Sequence, residues 1–279
     1  VIPCANGTDA LQVAMMGLGL KPGDEVITAD FTFAATVEVI ALLGLTPVLV
    51  DVLPDTFNID PDAIEKAITP NTKAIVPVHL FGQVADMDRI MDIAQKHNLF
   101  VIEDNAQGIG ATHTDAAGTK VKTGGIGHVG STSFFPSKNL GCYGDGGAIF
   151  TNDDDLAHTI RGVVNHGMYK RYHHDVVGVN SRLDSLQAVV LNEKLKLLDF
   201  YNERRKWAAI RYSQLLQDHP KIETPVTSGD CDSHVYHQYT LKIVGADRDA
   251  LVQHLQQNDI PCGVYYPIPL HLQKAYVDT

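Results

Sequence analysis

The sequence predicts an α/β protein built on a largely parallel sheet that is covered on both faces. Three observations predict it. Short apolar runs alternate with helix-like stretches through the first 165 residues, the pattern of β-α-β units with right-handed crossovers. The runs are apolar throughout, as strands buried on both faces require. The chain has 279 residues, 44% of them apolar and 20% charged, enough to bury such a core by itself.

Each element has its own signal. Residues 1–4 read as a strand. A helix is expected over 8–18, with Thr8 as N-cap and Leu11, Ala14, Met15 and Leu18 on one face. Lys21-Pro22-Gly23-Asp24 is a turn into a strand over 25–29. Helix 34–43 and strand 47–50 follow. Asp60-Pro61 opens a helix running to 68, with proline at its first position. Strand 74–78, helix 87–97 and strand 100–103 continue the alternation. Eight of the 23 glycines then fall between residues 124 and 147. Two strands, 131–135 and 147–151, flank that glycine-rich loop. Helix 153–164 comes next, then a His- and Tyr-rich irregular loop over 166–180. Residues 181–216 carry one long helical pattern. A strand over 238–244, a helix over 247–258 and a strand over 261–265 suggest a small α+β unit. The expected division is a large domain over 1–200 and a smaller one over 201–279.

Composition excludes several functions. Lys plus Arg number 22 against 33 Asp plus Glu, a net charge of −11. General nucleic-acid or anionic-membrane binding needs a basic footprint. The longest apolar runs, such as 37–43, are too short to span a bilayer. Cys4, Cys142, Cys231 and Cys262 form no CxxC pair, so neither a zinc ribbon nor a disulfide framework is expected. Reduced thiols in a cytoplasmic protein are the expectation, with no signal peptide visible. Asn6-Gly7-Thr8 matches a glycosylation acceptor by pattern only. The chain lacks an initiator Met and stops at 275–279 without a closing element, so it reads as a fragment with structure missing at both ends.

Three elements carry chemistry. Lys138 lies just past an apolar strand and before Gly141, Gly144, Gly146 and Gly147. A desolvated lysine there would have a lowered pKa and could form a Schiff base with a carbonyl compound. Asp104 stands at the carboxyl end of a strand, outside which open α/β sheets bind ligands. It would suit a cationic ring nitrogen. Asn6-Gly7-Thr8-Asp9 opens a helix whose N–H groups would hold an anion. Together these match the needs of pyridoxal phosphate: a lysine, an acid for the pyridinium nitrogen and a phosphate cradle. Two other motifs fail. Gly125-Ile126-Gly127-His128-Val129-Gly130 precedes a strand instead of joining a strand to a helix, so it is not a dinucleotide site. His173 and His174 are adjacent and do not converge on one ion, so no metal is expected.

The ordered segments NGTDAL, KPGDEVIT, DFTFAAT, TPVLVDV, AIVPVHLFGQ, VIEDNAQ, SFFPSKNLGCYGDGGAI, GVNSRLDSLQA and YYPIPL closely resemble the DegT/DnrJ-type nucleotide-sugar aminotransferases. These are fold-type I pyridoxal phosphate enzymes, with a seven-stranded, mostly parallel sheet. The resemblance covers nearly the whole chain. It implies that Lys138 carries the internal aldimine and that Asp104 keeps the pyridine nitrogen protonated. Gln107 would approach the phenolic oxygen, Gly7, Thr8 and Ser133 would hold the phosphate, and Phe33 would stack on the ring. Asn180 would reach the phosphate of a neighbouring subunit's cofactor, which implies a homodimer with a shared active site.

The implied reaction transfers an amino group from L-glutamate to a keto sugar by ping-pong kinetics, in cell-surface polysaccharide (O-antigen-type) sugar synthesis. Some relatives replace the lysine with histidine and dehydrate; Lys138 favours transamination. Arg171-Tyr172-His173-His174 with Gly178 to Arg182 looks most like the branch acting on UDP-2-acetamido-2-deoxy-3-oxo-glucuronate. There Arg182 would meet the sugar carboxylate bidentately. An ion pair of Arg182 with Asp184 or Asp9 is the other reading, and the sequence leaves both open. Tyr266 matches the family's substrate-side tyrosine, whereas Tyr265 stands where a histidine is usual. The competing expectations are a C4 aminotransferase for a dTDP- or UDP-4-keto-6-deoxyhexose and a non-catalytic regulator with the same fold.

Overall fold

The computed structural model describes residues 1–230 and 232–277; Cys231 and the terminal Asp278 and Thr279, about which the sequence raised expectations, lie outside the described residues. In chain order the elements begin β1 (Ile2–Cys4), α1 (Gly7–Gly17), β2 (Glu25–Ala29), α2 (Ala35–Leu42), β3 (Thr46–Val50), α3 (Pro61–Ala67), β4 (Thr72–Val76), α4 (Met87–His97) and β5 (Phe100–Asp104). Then follow a ribbon of β6 (Thr112–Thr114) and β7 (Lys120–Lys122), β8 (Val129–Ser133), β9 (Gly147–Phe150), α5 (Asp154–Val163) and a ribbon of β10 (Met168–Lys170) and β11 (His173–His174). The last elements are α6 (Ser185–Leu195), α7 (Leu198–Leu216), β12 (Ile222–Glu223), β13 (Lys242–Ile243) and α8 (Arg248–Gln257).

Seven strands form one sheet in the order β1-β9-β8-β5-β4-β2-β3. The five from β8 to β3 are parallel, and β9 and β1 are antiparallel to their neighbours. Strand alternation divides the apolar residues between two faces. Val26, Ala74, Val76, Ile102 and Val129 pack with α1, α2 and α5 on one side. Ile27, Ala29, Ile75 and Val101 pack with α3 and α4 on the other. This is why the strands read as unbroken apolar runs.

Capping sets the helix starts. Asp60, Asp86, Asp153 and Asp247 each accept a hydrogen bond from a first-turn N–H, as short acidic side chains do. The expected cap at Thr8 is corrected: Asn6 accepts from the Asp9 N–H at 2.8 Å, and α1 begins at Gly7. Gly7 and Thr8 therefore sit inside the first turn, where N–H groups have no acceptor within the helix.

Four further expectations are corrected. The single helix over 181–216 is two helices, with 181–184 outside them and a break at Lys196 and Leu197. Ser181 is held out of the helix by the Ala5 N–H and Asp9, and no glycine or proline marks the second break. The irregular loop over 166–180 contains the β10–β11 ribbon. The strand over 238–244 shrinks to β13, because the chain before it bonds elsewhere. Val84 N–H donates to Ser233 O, Val235 N–H to Gly82 O and Gln238 N–H to Phe81 O. No strand forms over 261–265, where the chain finds no neighbouring ladder, which a strand requires.

Candidate active site

The site is built at the carboxyl ends of β5 and β8. Asp104 closes β5, opposite Ser131 of β8. It is only 5% exposed. Its Oδ2 accepts from Thr36 Oγ1 at 2.8 Å and its Oδ1 from the Ala106 N–H at 3.1 Å. Both donors fix the direction of the carboxylate. Glu103 points to the other face of β5, fully buried against His79 at 2.9 Å. It also accepts from the N–H groups of Gly124, Ile126 and Gly127, each at 2.7 Å. His79 Nδ1 accepts from the Ala85 N–H, so its Nε2 carries the proton given to Glu103.

Lys138 follows β8 in a tight loop. Its N–H donates to Phe135 O, and the loop closes through Cys142 N–H to Phe134 O at 2.8 Å. Gly141 is required there, since a Cβ would lie 2.4 Å from Pro136 O. The next residue, Asn139, is buried and donates to Asn202 Oδ1 and Val235 O. Burial pushes the Lys138 amine below its usual range, and the charge of Asp104 partly offsets this. A lysine so placed is a better nucleophile at neutral pH.

Gly7 at the start of α1 packs against Ser133 at the end of β8; a Cβ at Gly7 would lie 2.6 Å from Ser133 Cβ. The two meet at a helix N-terminus, which suits an anion. Thr8 is half-buried beside them. Phe33, just before α2, is 60% exposed. Gln107 is buried, accepts from the Phe81 N–H at 2.6 Å and donates from Nε2 to Tyr266 Oη at 3.3 Å. Tyr266 itself packs on Phe31 and among the side chains of Phe57 and Phe81. Burial pushes its hydroxyl up to about 12, against the opposing hydrogen bond from Gln107.

The structure thus draws Lys138, Asp104, Gln107 and Tyr266 into one electrostatically linked group, with Gly7 and Ser133 paired at the helix start. It leaves the side chains of Asn180 and Arg182 exposed. Arg182 Nη2 donates to Asn165 Oδ1 at 3.1 Å. The ion pair with Asp9 gives way to another bond: Asp9 accepts from Ser181 Oγ at 2.6 Å.

Sequence reasoning missed Thr36, Ser181 and His237. His237 is held at Nδ1 by Asn139 Oδ1 at 3.3 Å. Burial, reinforced by Lys138 and Arg205, pushes it down to about 3. Thr36 sits in an apolar helix, and its single hydroxyl carries no pattern; only its distance to Asp104 reveals it. Among the described residues no cluster of His, Cys, Asp and Glu could hold a metal ion. No helix among them is long and apolar enough to cross a membrane.

Comparison with known proteins agrees with this geometry. The chain is 50% identical over 277 residues to the UDP-2-acetamido-2-deoxy-3-oxo-D-glucuronate aminotransferase of Pseudomonas aeruginosa, covering 99% of this chain and 75% of that protein. It superposes on the crystal structure of S. venezuelae DesV in complex with a ketimine intermediate, at TM-score 0.93 and 42% identity, covering 99% and 72% of the two chains. NtdA of Bacillus subtilis, solved with bound cofactor PMP, matches at TM-score 0.87 and 38% identity, covering 98% and 62%. The fold is that of the pyridoxal phosphate-dependent aminotransferases of fold-type I, as the sequence predicts. Residues 1–279 match the model of one family throughout, and the chain belongs to the DegT/DnrJ/EryC1/StrS aminotransferase family.

Proposed function

We propose that the protein is a pyridoxal phosphate-dependent aminotransferase. It moves the amino group of L-glutamate to the ketone of a nucleotide-linked sugar, with UDP-2-acetamido-2-deoxy-3-oxo-glucuronate as the substrate. The observation that carries this reading is the desolvated Lys138 amine set against the buried, doubly hydrogen-bonded Asp104. The residues present fit the cofactor. Gly7 lets the start of α1 approach Ser133 so closely that a Cβ would lie 2.6 Å from Ser133 Cβ, which sets first-turn N–H groups beside the Ser133 hydroxyl, and Asp104 offers a buried carboxylate to a protonated ring nitrogen.

When bound, pyridoxal phosphate supplies a carbonyl carbon for amine exchange and a ring that accepts electron density. Asp104, held in place by Thr36 and the Ala106 N–H, would hold a proton on the ring nitrogen. Gly7, Thr8 and Ser133 would hold the phosphate, Phe33 would cover one ring face and Gln107 would donate toward the phenolic oxygen. Lys138 would be the covalent attachment point. Once released as a free amine, it would carry the proton between the donor's α-carbon and the cofactor. Its lowered basicity suits both roles, because a permanently protonated lysine could do neither.

Arg182 supports the carboxylated sugar. Its guanidinium is exposed, and among the described residues its hydrogen-bond partner is the neutral Asn165, bound through Nη2; its remaining N–H donors could meet a carboxylate. A homodimer is part of the same reading, with Asn180 reaching the second site. Exposed apolar side chains support it: Tyr143, Val177, Leu186 and Val189 form the kind of surface a partner covers. Residues 1–200 would hold the cofactor and 201–279 close over it. The cytoplasm, where thiols stay reduced, would be its place of work, in polysaccharide sugar synthesis.

The test is an absorbance spectrum of the protein with pyridoxal phosphate, before and after glutamate. The expected result is a near-visible band from the lysine-linked cofactor that glutamate removes and a keto sugar restores. Lys138→Ala should abolish the band and turnover together. Turnover surviving in that variant would overturn the mechanism, and absence of any band in the wild type would favour the non-catalytic reading.

A further inference from the structure

The buried amide of Gln107 has a fixed orientation. A backbone N–H can only donate, so the atom 2.6 Å from Phe81 N must be the side-chain oxygen. Nε2 then faces Tyr266 and the site. Phe81, which makes that bond, has a left-handed backbone, φ 57°, a conformation that costs on the order of 1 kcal/mol or more and persists only when its surroundings enforce it.

Asn58 binds the backbone on either side of it. It lies after β3, is 3% exposed, and directs every one of its side-chain hydrogen bonds at the loop that carries Phe81. Oδ1 accepts from the Leu80 N–H at 3.1 Å. Nδ2 donates to Gln83 O at 3.2 Å and Val84 O at 3.0 Å. The loop is thereby gripped on both sides of Phe81.

We propose that Asn58 is a positioning residue: through the Phe81 N–H it fixes the Gln107 amide with its nitrogen, not its oxygen, toward the cofactor. This inference rests on the pyridoxal phosphate reading. Gln107 becomes an obligate hydrogen-bond donor to the side of the site where the phenolic oxygen would lie. A donor there withdraws charge from that oxygen and makes the lysine-linked cofactor more acidic. Loss of the orientation makes it less acidic. The ionisable groups around Gln107 are Asp104 and Tyr266, with Tyr265 beside Tyr266 and Lys138 and His237 beyond them.

The experiment is a pH titration of the lysine-linked cofactor band in wild type, Asn58→Ala, Gln107→Glu and the double variant. Ile59→Val serves as a control that loosens the same buried region without touching a hydrogen bond. Asn58→Ala and Gln107→Glu should each raise the midpoint by about half a unit or more, a threefold change in proton affinity. The double variant should shift no further than Gln107→Glu alone, because Asn58 acts through Gln107. Ile59→Val should leave the midpoint in place. In the cofactor-free protein, Asn58→Ala should also move the Phe81 amide proton resonance upfield as its hydrogen bond lengthens. A wild-type band whose midpoint is the same in Asn58→Ala, or shifts that simply add, would overturn the proposal. Should Asn58→Ala fail to fold, an unmoved midpoint in Gln107→Glu would overturn it equally. No band in the wild type would strike at the cofactor reading instead.

Discussion

Glu103→Gln tests whether the site rests on the buried carboxylate behind Asp104. Glu103 and His79 are both fully buried. The two carboxylate oxygens accept four hydrogen bonds, two on each oxygen: His79 Nε2 and the Gly124 N–H on Oε2, and the Ile126 and Gly127 N–H groups on Oε1. Glutamine keeps one oxygen and replaces the other with NH2. Whichever way the amide turns, two buried donors lose their acceptor and face a third donor. At about 1–3 kcal/mol for each orphaned buried donor, the loss comes to roughly 4 kcal/mol. For a chain of this size that is a fall in Tm of about 10 °C.

The pH dependence is a second signature of Glu103. Burial pushes its carboxyl up, but the hydrogen bonds from His79 and the backbone N–H groups outweigh this and hold it below its ordinary 4.5. A folded pKa below the unfolded one stabilises the protein above the unfolded value and loses that stabilisation as pH falls through the folded one. Urea unfolding followed by circular dichroism from pH 7 to pH 3 should show the wild type losing more stability below pH 4.5 than Glu103→Gln does. A loss at pH 7 of less than about 1 kcal/mol, the worth of one ordinary hydrogen bond, would refute the reasoning.

Other consequences follow from the site. Gly7→Ala would drive a methyl into Ser133, so pyridoxal phosphate affinity by equilibrium dialysis should fall by about tenfold or more, equivalent to 1.4 kcal/mol. Ser181→Ala removes the hydroxyl that bridges the Ala5 N–H and Asp9; it should cost about 1–2 kcal/mol in urea unfolding and raise KM for the sugar by loosening Arg182. Arg182→Ala should raise KM for a carboxylated keto sugar by about tenfold or more, the scale of a charge-assisted bidentate pair, and leave KM for glutamate unchanged. A KM left unchanged by Arg182→Ala would instead favour the 4-keto-6-deoxyhexose reading, whose sugar has no carboxylate for the guanidinium to meet. Asp104→Asn removes the carboxylate whose charge supports the Lys138 amine; turnover should fall by orders of magnitude, measured by glutamate half-reaction rates.

Much of the fold is legible in the residues because its signals are local. Apolar runs, proline at the start of a helix, and Asp-initiated helix starts lie within a few positions of what they determine. The ordered segments around Asp104 and Lys138 were equally readable, because a loop that must deliver a lysine past a strand needs its glycines in sequence. The misses share a cause. The break at Lys196 and Leu197, the strand lost before β13 and the cap at Asn6 depend on what lies opposite, and a period of 3.6 or 2 holds no record of that. The segment 238–244 reads as a strand, yet its first residue donates to Phe81 O and only Lys242–Ile243 pair as a strand.

By itself, then, the sequence determined the α/β class, the covered parallel sheet, the strand-end acid and lysine, and the family to which they belong, since each follows from residues close together in the chain. Only the tertiary structure decided which way the Gln107 amide points, that Thr36 and not a neighbour in sequence serves Asp104, and that Arg182 meets Asn165 rather than an acid. Those facts join residues from 17 to 68 positions apart. Hydrogen bonds of that kind are set by distance and direction in space, and nothing in the order of the residues encodes either until the chain has folded.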